Sequence, residues 1–389
     1  MRIHHIILSL ISLTISCKEV ERPLSKALEP ENNIQVDLKE SNAFEFDDFF
    51  SGIEVIPLET SRDAILGNPQ KMLVRKGCYY IHNAQQNCVT GFDADGKLTF
   101  SSRSFQGEGP EEYKSIRDYF IDEKGTHLYI FDEISFRVTK YSFQSGFVEH
   151  IDIPENLTRI NAFTVIADEI FAFYSTANFG VLDGCLLLFD SKSRSTLRLI
   201  DIMPSAHIKI QSNTNIFYNL DGMLHFNHSF PSLSTYSIDP SGIVKEKYKL
   251  DFGKATFDTK ALPNNSSVDL HNLMLPEWYQ KYAVVFDKFE NDKYFLTSFF
   301  HKAESGMILY QKSTKNQSLI INKNNTSNFQ KLLPPYYVDD HALYYLCLPE
   351  HLEHYADHNL KSNSRSHLMD HIENNDNYVI VKCLFSETE

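Results

Sequence analysis

The feature that most constrains this chain is a repeat. A strand-like stretch ends on an aromatic residue, often with an acid next, and then turns on Gly or Ser. The clearest copies are Val89–Lys97, Val138–Gly146, Leu187–Ser193 and Ser234–Gly242. Aligning Phe92, Tyr141, Phe189 and Tyr236 gives steps of 49, 48 and 47 residues, and a fifth copy around Tyr310 follows after 74. Each copy is preceded by a second apolar stretch: Tyr79–Ile81, Leu128–Phe131, Ile170–Phe173, Met223–Phe226 and Tyr294–Leu296. A period in the forties with about four strands per unit is the pattern of a propeller blade. One such unit cannot bury both of its faces, whereas a ring of them can, leaving only short edges.

The sixth unit is less regular. Tyr344–Leu348 reads as a strand stopped by Pro349, a polar helical excursion runs from Glu350 to about Ile372, and Asn377–Phe385 reads as the last strand. A second helical insertion is expected over Ser267–Tyr282, from the spacing of Leu270, Leu273 and Met274. A ring must close, and the alternating stretch Ile53–Leu58 is placed to complete the last blade from the other end of the chain. Aromatic residues make up 13% of the sequence, with 29 Phe and 20 Tyr, and they favour strands. The expectation is therefore an all-β, six-bladed β-propeller with short helical insertions near the C-terminal blades.

The formal net charge of −14 excludes nucleic acid as the main partner, because backbone phosphates need a basic surface. At the N-terminus, Arg2 precedes an apolar run from Ile6 to Ile15, too short to span a bilayer as a finished helix. A small residue directly before Cys17 resembles the lipobox of bacterial lipoproteins, which implies cleavage before Cys17 and lipidation of its thiol. An ordinary secretory signal with an incidental cysteine is the other reading. Lys18, Glu19 and Glu21 follow, similar to the charged export signal of Bacteroidota surface lipoproteins. The chain divides into a signal peptide (1–16), a lipidated tether and N-terminal segment (17–50) and the propeller (51–389). The N-terminal segment carries one early strand, Ile34–Leu38.

Without Cys17, the cysteines are Cys78, Cys88, Cys185, Cys347 and Cys383, an odd and scattered set with no zinc spacing. A hairpin centred on Gln85 sets Cys88 opposite His82 and away from Cys78. Cys347 with Cys383 is the one pairing to test.

Four features together resemble the six-bladed β-propeller lipoproteins of Bacteroidota, a family related in shape to NHL-repeat propellers. Ile56–Thr60 with Leu66 and Gly67 is similar to that family's opening strand and turn. Phe105–Tyr113 is similar to its Gly-x-Gly-Pro-Gly-Glu-Tyr joint, with Glu111 where Gly is usual. Asn375–Val381 resembles its closing strand, with Tyr378 in place of Pro. The lipobox is the fourth. The resemblance implies the fold over nearly the whole mature chain and no particular activity.

The joint Gly107, Glu108, Gly109, Pro110, Glu111, Glu112 and Tyr113 reads as a shaped connection between repeats, or as the acidic rim of a binding face. The two glycines are expected to take backbone angles closed to other residues, and Tyr113 to fold its ring inward with a wet hydroxyl. His351, His354 and His358 share one face if the excursion is helical, forming either a metal set or a solvated polar face. Asp339-Asp340-His341 reads as a calcium-binding knot or a turn, and Asp93, Asp190 and Asp239 as turn-formers. The candidate channel-lining strands, such as Met72–Val74 and Ala162–Val165, are mostly apolar, with Asp118 and Asp221 the exceptions. Trp278, Tyr336 and Tyr337 are contact residues if exposed, or packing between blades if buried.

No Gly-x-Ser-x-Gly elbow, phosphate loop or dinucleotide fingerprint occurs in the sequence. The expectation is an outer-membrane lipoprotein, facing the periplasm or the outside. Its propeller would serve as a binding or assembly module for a glycan, a peptide or an envelope protein, with no resident cofactor. The alternative is a metal-dependent hydrolase or lyase with a divalent metal such as calcium in the central channel.

Overall fold

A computed structural model of the 389-residue chain describes residues 29–39, 49–153, 160–167, 169–175, 184–202, 216–228, 232–239, 242–257, 280–302, 304–321, 335–352 and 376–386, with residues 157 and 372. Six antiparallel sheets follow one another around a ring. After the N-terminal strands β1 (Asn32–Gln35) and β2 (Phe50–Pro57), blade 1 is β3 (Pro69–Arg75), β4 (Cys78–Asn83), β5 (Cys88–Phe92) and β6 (Leu98–Ser101). Blade 2 is β7 (Ile116–Ile121), β8 (His127–Asp132), β9 (Arg137–Ser142) and β10 (Gly146–Asp152). Blade 3 is β11 (Ile160–Ala167), β12 (Ile170–Ser175), β13 (Gly184–Asp190) and β14 (Ser195–Ile202). Blade 4 is β15 (Phe217–Leu220), β16 (Met223–Asn227), β17 (Ser234–Ile238) and β18 (Val244–Asp251). Blade 5 is β19 (Val284–Glu290), β20 (Tyr294–His301), β21 (Glu304–Gln311) and β22 (Asn316–Ile321). Blade 6 is β23 (Tyr337–Val338), β24 (Ala342–Cys347), β25 (Val379–Phe385) and, returning from the N-terminus, β2.

The repeat read from the sequence is the third strand of each blade: Phe92, Tyr141, Phe189, Tyr236 and Tyr310 lie on β5, β9, β13, β17 and β21. The apolar stretches preceding them are the second strands. Both are central strands of their sheets, so their side chains are buried on both faces, which is why they read as apolar runs. Buried side chains collect into six clusters, one between each pair of neighbouring blades. Aromatic rings fill these gaps. Between blades 1 and 2, Phe105 stacks on Tyr141 at 4.5 Å, and Phe143 meets Tyr80 at 5.3 Å and Phe100 at 4.7 Å. Among the described residues the helical pieces are 3-10 turns at Ser102–Phe105, Gly253–Ala255 and Pro349–His351, and α-helical residues 280–281, which fall in the second expected insertion. The stretches 258–279 and 353–371, which carry most of the two expected helical insertions, lie outside the described residues.

The ring closes as expected, with β2 antiparallel to β25 from Phe50↔Phe385 to Pro57↔Val379. The early strand has a partner that the sequence did not indicate. β1 adds to the outer edge of blade 4, parallel to β18, with Ile34 opposite Leu250 and the buried Ile34 and Val36 packed between blades 4 and 5. Two cysteine readings change. Cys88 stands opposite Asn83, not His82, because the β4–β5 loop holds four residues. Cys347 stands opposite Val379 while Cys383 stands opposite Leu343, so the register separates that pair. None of Cys78, Cys88, Cys347 and Cys383 is in a disulfide.

The two ends of the ring differ. Turns joining first to second and third to fourth strands are no longer than five residues. The opposite ends of the strands carry the blade-to-blade connections and the second-to-third loops, among them 176–183, 203–216, 252–283 and 348–378.

Candidate functional site

The joint sits at the long-connection end, between β6 and β7. Its sequence folds around one buried ring. Tyr113 is fully buried, and its hydroxyl is not wet: it lies 2.8 Å from Ser102 Oγ and donates to the Asn87 carbonyl at 3.0 Å. A phenol at the base of a Gly-rich loop needs buried partners, and the Ser102 turn provides them. Gly107 donates to the Tyr113 carbonyl (3.0 Å) and Tyr113 to that of Phe105 (3.0 Å), which pinches the loop at its neck. Neither Gly107 nor Gly109 takes a positive φ. The glycine leaves room for a carboxylate: a Cβ on Gly107 would lie 2.0 Å from Glu112 Oε2, the oxygen that accepts the Gly109 amide at 2.7 Å, and would push that carboxylate off its bond.

Blade 2 holds the far side of the loop. Tyr141 donates to the Glu111 carbonyl at 2.9 Å, and His150 Nε2 to the Pro110 carbonyl at 2.7 Å. Lys114 pairs with Glu108. What remains outward is Glu108, Pro110 and Glu111, an acidic crest on a fixed base.

The two channel candidates part company. Asp118 is buried on β7, the inner strand of blade 2, and it clasps three blades. It accepts from Lys71 Nζ on β3 at 2.7 Å and from the Phe163 amide on β11 at 2.9 Å, as well as from Tyr119 N at 2.8 Å. Asp221 is not on an inner strand. With Gly222 it forms the two-residue turn between β15 and β16, with φ of 53° and 71°, the geometry that favours an Asp-Gly pair. His351 lies in the 3-10 turn after β24, its Nε2 3.7 Å from Glu350, while His354 and His358 lie outside the described residues. Among the described residues no group of three or more His, Cys, Asp and Glu is arranged to hold a metal ion.

The turn readings hold for the other acids. Asp339 Oδ1 accepts the amides of His341 (2.8 Å) and Ala342 (2.9 Å), and Oδ2 the Tyr344 hydroxyl (2.6 Å). Asp93 and Asp190 each take two amides of their own turns, and Asp239 one. Tyr336 and Tyr337 are half-buried and pack on the cluster between blades 6 and 1. Trp278 lies outside the described residues.

A polar knot between blades 4 and 5 was not read from the sequence. Glu290, at the end of β19, has a side chain with no exposed surface. Oε1 takes Lys247 (2.8 Å), Lys312 (3.0 Å) and the Tyr248 hydroxyl (3.0 Å), and Oε2 takes the Tyr218 hydroxyl (2.8 Å). Burial alone would raise its pKa, but the two ammonium groups hold it below the ordinary carboxylate value. Two residues earlier, Lys288 is buried with Nζ on the carbonyls of His228 (2.8 Å), Ser232 (3.0 Å) and Ser234 (2.9 Å). Burial pushes this ammonium down to about 7, against the pull of the nearby Glu246 carboxylate. The available signal was three charges, Asp287, Lys288 and Glu290, inside an otherwise apolar strand.

Three histidines share the interior. Burial lowers His82 to about 4, His225 to about 4 and His228 to about 3. Each is neutral in the fold while the unfolded chain binds a proton below about pH 6.5. Stability is thus intact above that pH and is lost as pH falls toward 4, by at most about 1.4 kcal/mol per pH unit for each histidine. Urea midpoints measured from pH 7 to 4.5 are expected to fall in that window. A His225→Phe variant, which keeps a flat ring on Tyr218 (4.8 Å, 11° between planes), is expected to show a shallower fall.

Closed sheets, inter-blade aromatic packing and closure by an N-terminal strand define a six-bladed β-propeller. The chain belongs to the family described as "Domain of unknown function (DUF4934)", which matches residues 31–383. It is similar in structure to a candidate exported protein of Bacteroides fragilis, with a TM-score of 0.66 at 14% identity over 92% of this chain and 99% of that one. It is also similar to a member of the DUF4221 family from Bacteroides vulgatus, with a TM-score of 0.52 at 9% identity over 86% and 98%. At these identities the likeness is one of fold. No curated protein matches the sequence.

Proposed function

We propose that the protein is exported, anchored by lipid at Cys17 to the outer membrane, and uses the long-connection end of its propeller to hold a glycan, a peptide or a partner protein. The observation that carries this reading is where apolar surface is left in water. Of the six large apolar side chains exposed among the described residues, four lie at that end: Ile65, Ile134, Phe136 and Phe300. Apolar groups exposed together mark a contact surface, and two of the four, Ile134 and Phe136, share one loop. Loops carried on a rigid frame are also where binding residues concentrate. The apolar run ending at Cys17, and the similarity in fold to a candidate exported protein, support the envelope address. The channel-enzyme reading gains no support from its two candidates, since Asp118 is engaged by Lys71 and two amides and Asp221 is a turn residue.

The test is a thermal-shift screen against oligosaccharides, peptides and divalent metals, with EDTA controls. A ligand that binds only the folded state raises the melting temperature. The expected result is a rise with a glycan or peptide that EDTA does not reverse. A rise seen only with a divalent metal and abolished by EDTA would overturn the reading in favour of the channel. For the anchor, Cys17→Ser is expected to move the protein from the membrane to the soluble fraction.

A further inference from the structure

The β8–β9 loop of blade 2, residues 133–136, stands beside the joint. Asp132 takes the amides of Lys114 (2.9 Å) and Ser115 (3.2 Å), Glu133 Oε1 accepts the Ser115 hydroxyl (3.0 Å), and Arg137 reaches the Glu112 carbonyl (3.3 Å). Loop and joint are therefore one surface. It carries the two apolar residues of the loop, Ile134 at 65% exposed and Phe136 at 36%. The same surface carries the exposed Glu108, Glu111 and Glu133, of which Glu108 has Lys114 for a counter-charge.

Phe136 occupies a position that disfavours it. The blade 1 and blade 2 loops have the same length, and the last residue of each is left-handed: Asn87 with φ 51° and Phe136 with φ 51°. Asn is among the residues that tolerate this conformation, and a bulky aromatic is not. In blade 1 the Asn87 side chain ties its loop to the β6–β7 connection, donating to the Lys114 carbonyl at 2.8 Å. In blade 2 the same position carries an apolar ring that meets Phe131 edge-on at 5.9 Å and is left about one-third exposed. The backbone there disfavours a phenylalanine, and the exposed Ile134 two residues away adds to the same apolar surface.

We propose that the Ile134–Phe136 tip and the acidic crest beside it form the contact point for a protein partner, through a segment carrying apolar side chains between lysines or arginines. This rests on the reading of the long-connection end as the binding face and names the chemistry of its occupant. The apolar pair supplies the desolvated centre of such a contact and the carboxylates its polar rim. The carboxylates and the net charge of −14 favour a basic segment over an acidic one and over an anionic lipid surface.

The experiment uses the full chain in a non-ionic detergent, with empty micelles as the blank. The probe is a fluorescent peptide with isolated phenylalanines between lysines and Gly-Ser spacers, and its counterpart with glutamates replaces the lysines. Anisotropy is expected to show saturable binding of the basic peptide only, weakened by added salt. Ile134→Ser and Phe136→Asn are each expected to weaken it at least about tenfold, the effect of truncating a central contact residue. Phe136→Asn relieves the left-handed aromatic and gives up the Phe131 contact, so its melting temperature is expected to stay within about 2 °C of the parent. That separates lost binding from lost fold. Absence of saturable binding, or equal binding of the acidic peptide, overturns the proposal. If Ile65→Ser or Phe300→Ser weakens binding and the blade 2 variants do not, the contact point is wrong while the binding face stands. If none of the four substitutions matters, both fail.

Discussion

Glu290→Ala is expected to destabilise the protein by about 3–5 kcal/mol, the cost of breaking a buried charge cluster by removing its shared partner. The carboxylate holds two lysines and two tyrosine hydroxyls from β15, β18 and the end of β21 around a side chain that water does not reach. Alanine leaves Lys247 and Lys312 facing each other across a void, with side chains only 13% and 23% exposed. Lys312 keeps one partner, the Asn291 carbonyl at 2.7 Å, and Lys247 loses its ion pair. Glu290→Gln retains an acceptor and the shape but not the charge, and is expected to cost about half as much. Urea unfolding of the three proteins checks both figures. A loss below about 1 kcal/mol for the alanine variant would mean that the cluster adds little net stability to the interface of blades 4 and 5, as surface pairs do.

Asn377→Ala is expected to cost about 3 kcal/mol through backbone groups left without partners in a dry site. Asn377 is 2% exposed and precedes the closing strand. Its Oδ1 accepts the Leu66 amide at 2.9 Å, and its Nδ2 donates to the carbonyls of Glu59 (3.0 Å) and Ala64 (2.9 Å). One amide side chain thus fastens the loop that leaves β2 to the strand that pairs with β2. Asn377→Asp keeps the acceptor and aims a second oxygen at two carbonyls, so it is expected to lose at least as much. Hydrogen exchange gives the local readout: the Leu66 amide should exchange faster in both variants, and an unchanged rate would sink the assignment.

The repeat was legible because central strands of a blade are buried on both faces and so must be apolar and aromatic. The closing pair was legible because a ring needs one and Ile53–Leu58 alternates. The partner of β1 was not, since four residues carry little pattern and the partner strand lies more than two hundred residues away. Cys88 was displaced by one position because loop length, which sets hairpin register, was misjudged by one residue. At the candidate site, the joint was legible as a loop but its chemistry was not. The glycines answer to Glu112 and not to unusual torsions, and Tyr113 is a buried post with a fully bonded hydroxyl. Asp118 was correctly placed on an inner strand, while its clasp on Lys71 and Phe163 depends on which blades become neighbours, a property of the closed ring. The Phe136 torsion cannot be read from composition at all, because the loop sequence looks ordinary until its φ is known.

The pairing of β2 with β25 also sets a timetable. The first strand of blade 6 to be synthesised waits for the last, over a separation of more than three hundred residues. Until Val379–Phe385 arrives, β2 presents an unpaired edge, and the apolar walls of blades 5 and 1 that belong against blade 6 lie open. Contacts so distant in sequence form slowly. Ring closure is therefore the slow step expected in folding, and a chain in which β2 and β25 have not yet met keeps an open edge and two uncovered apolar walls.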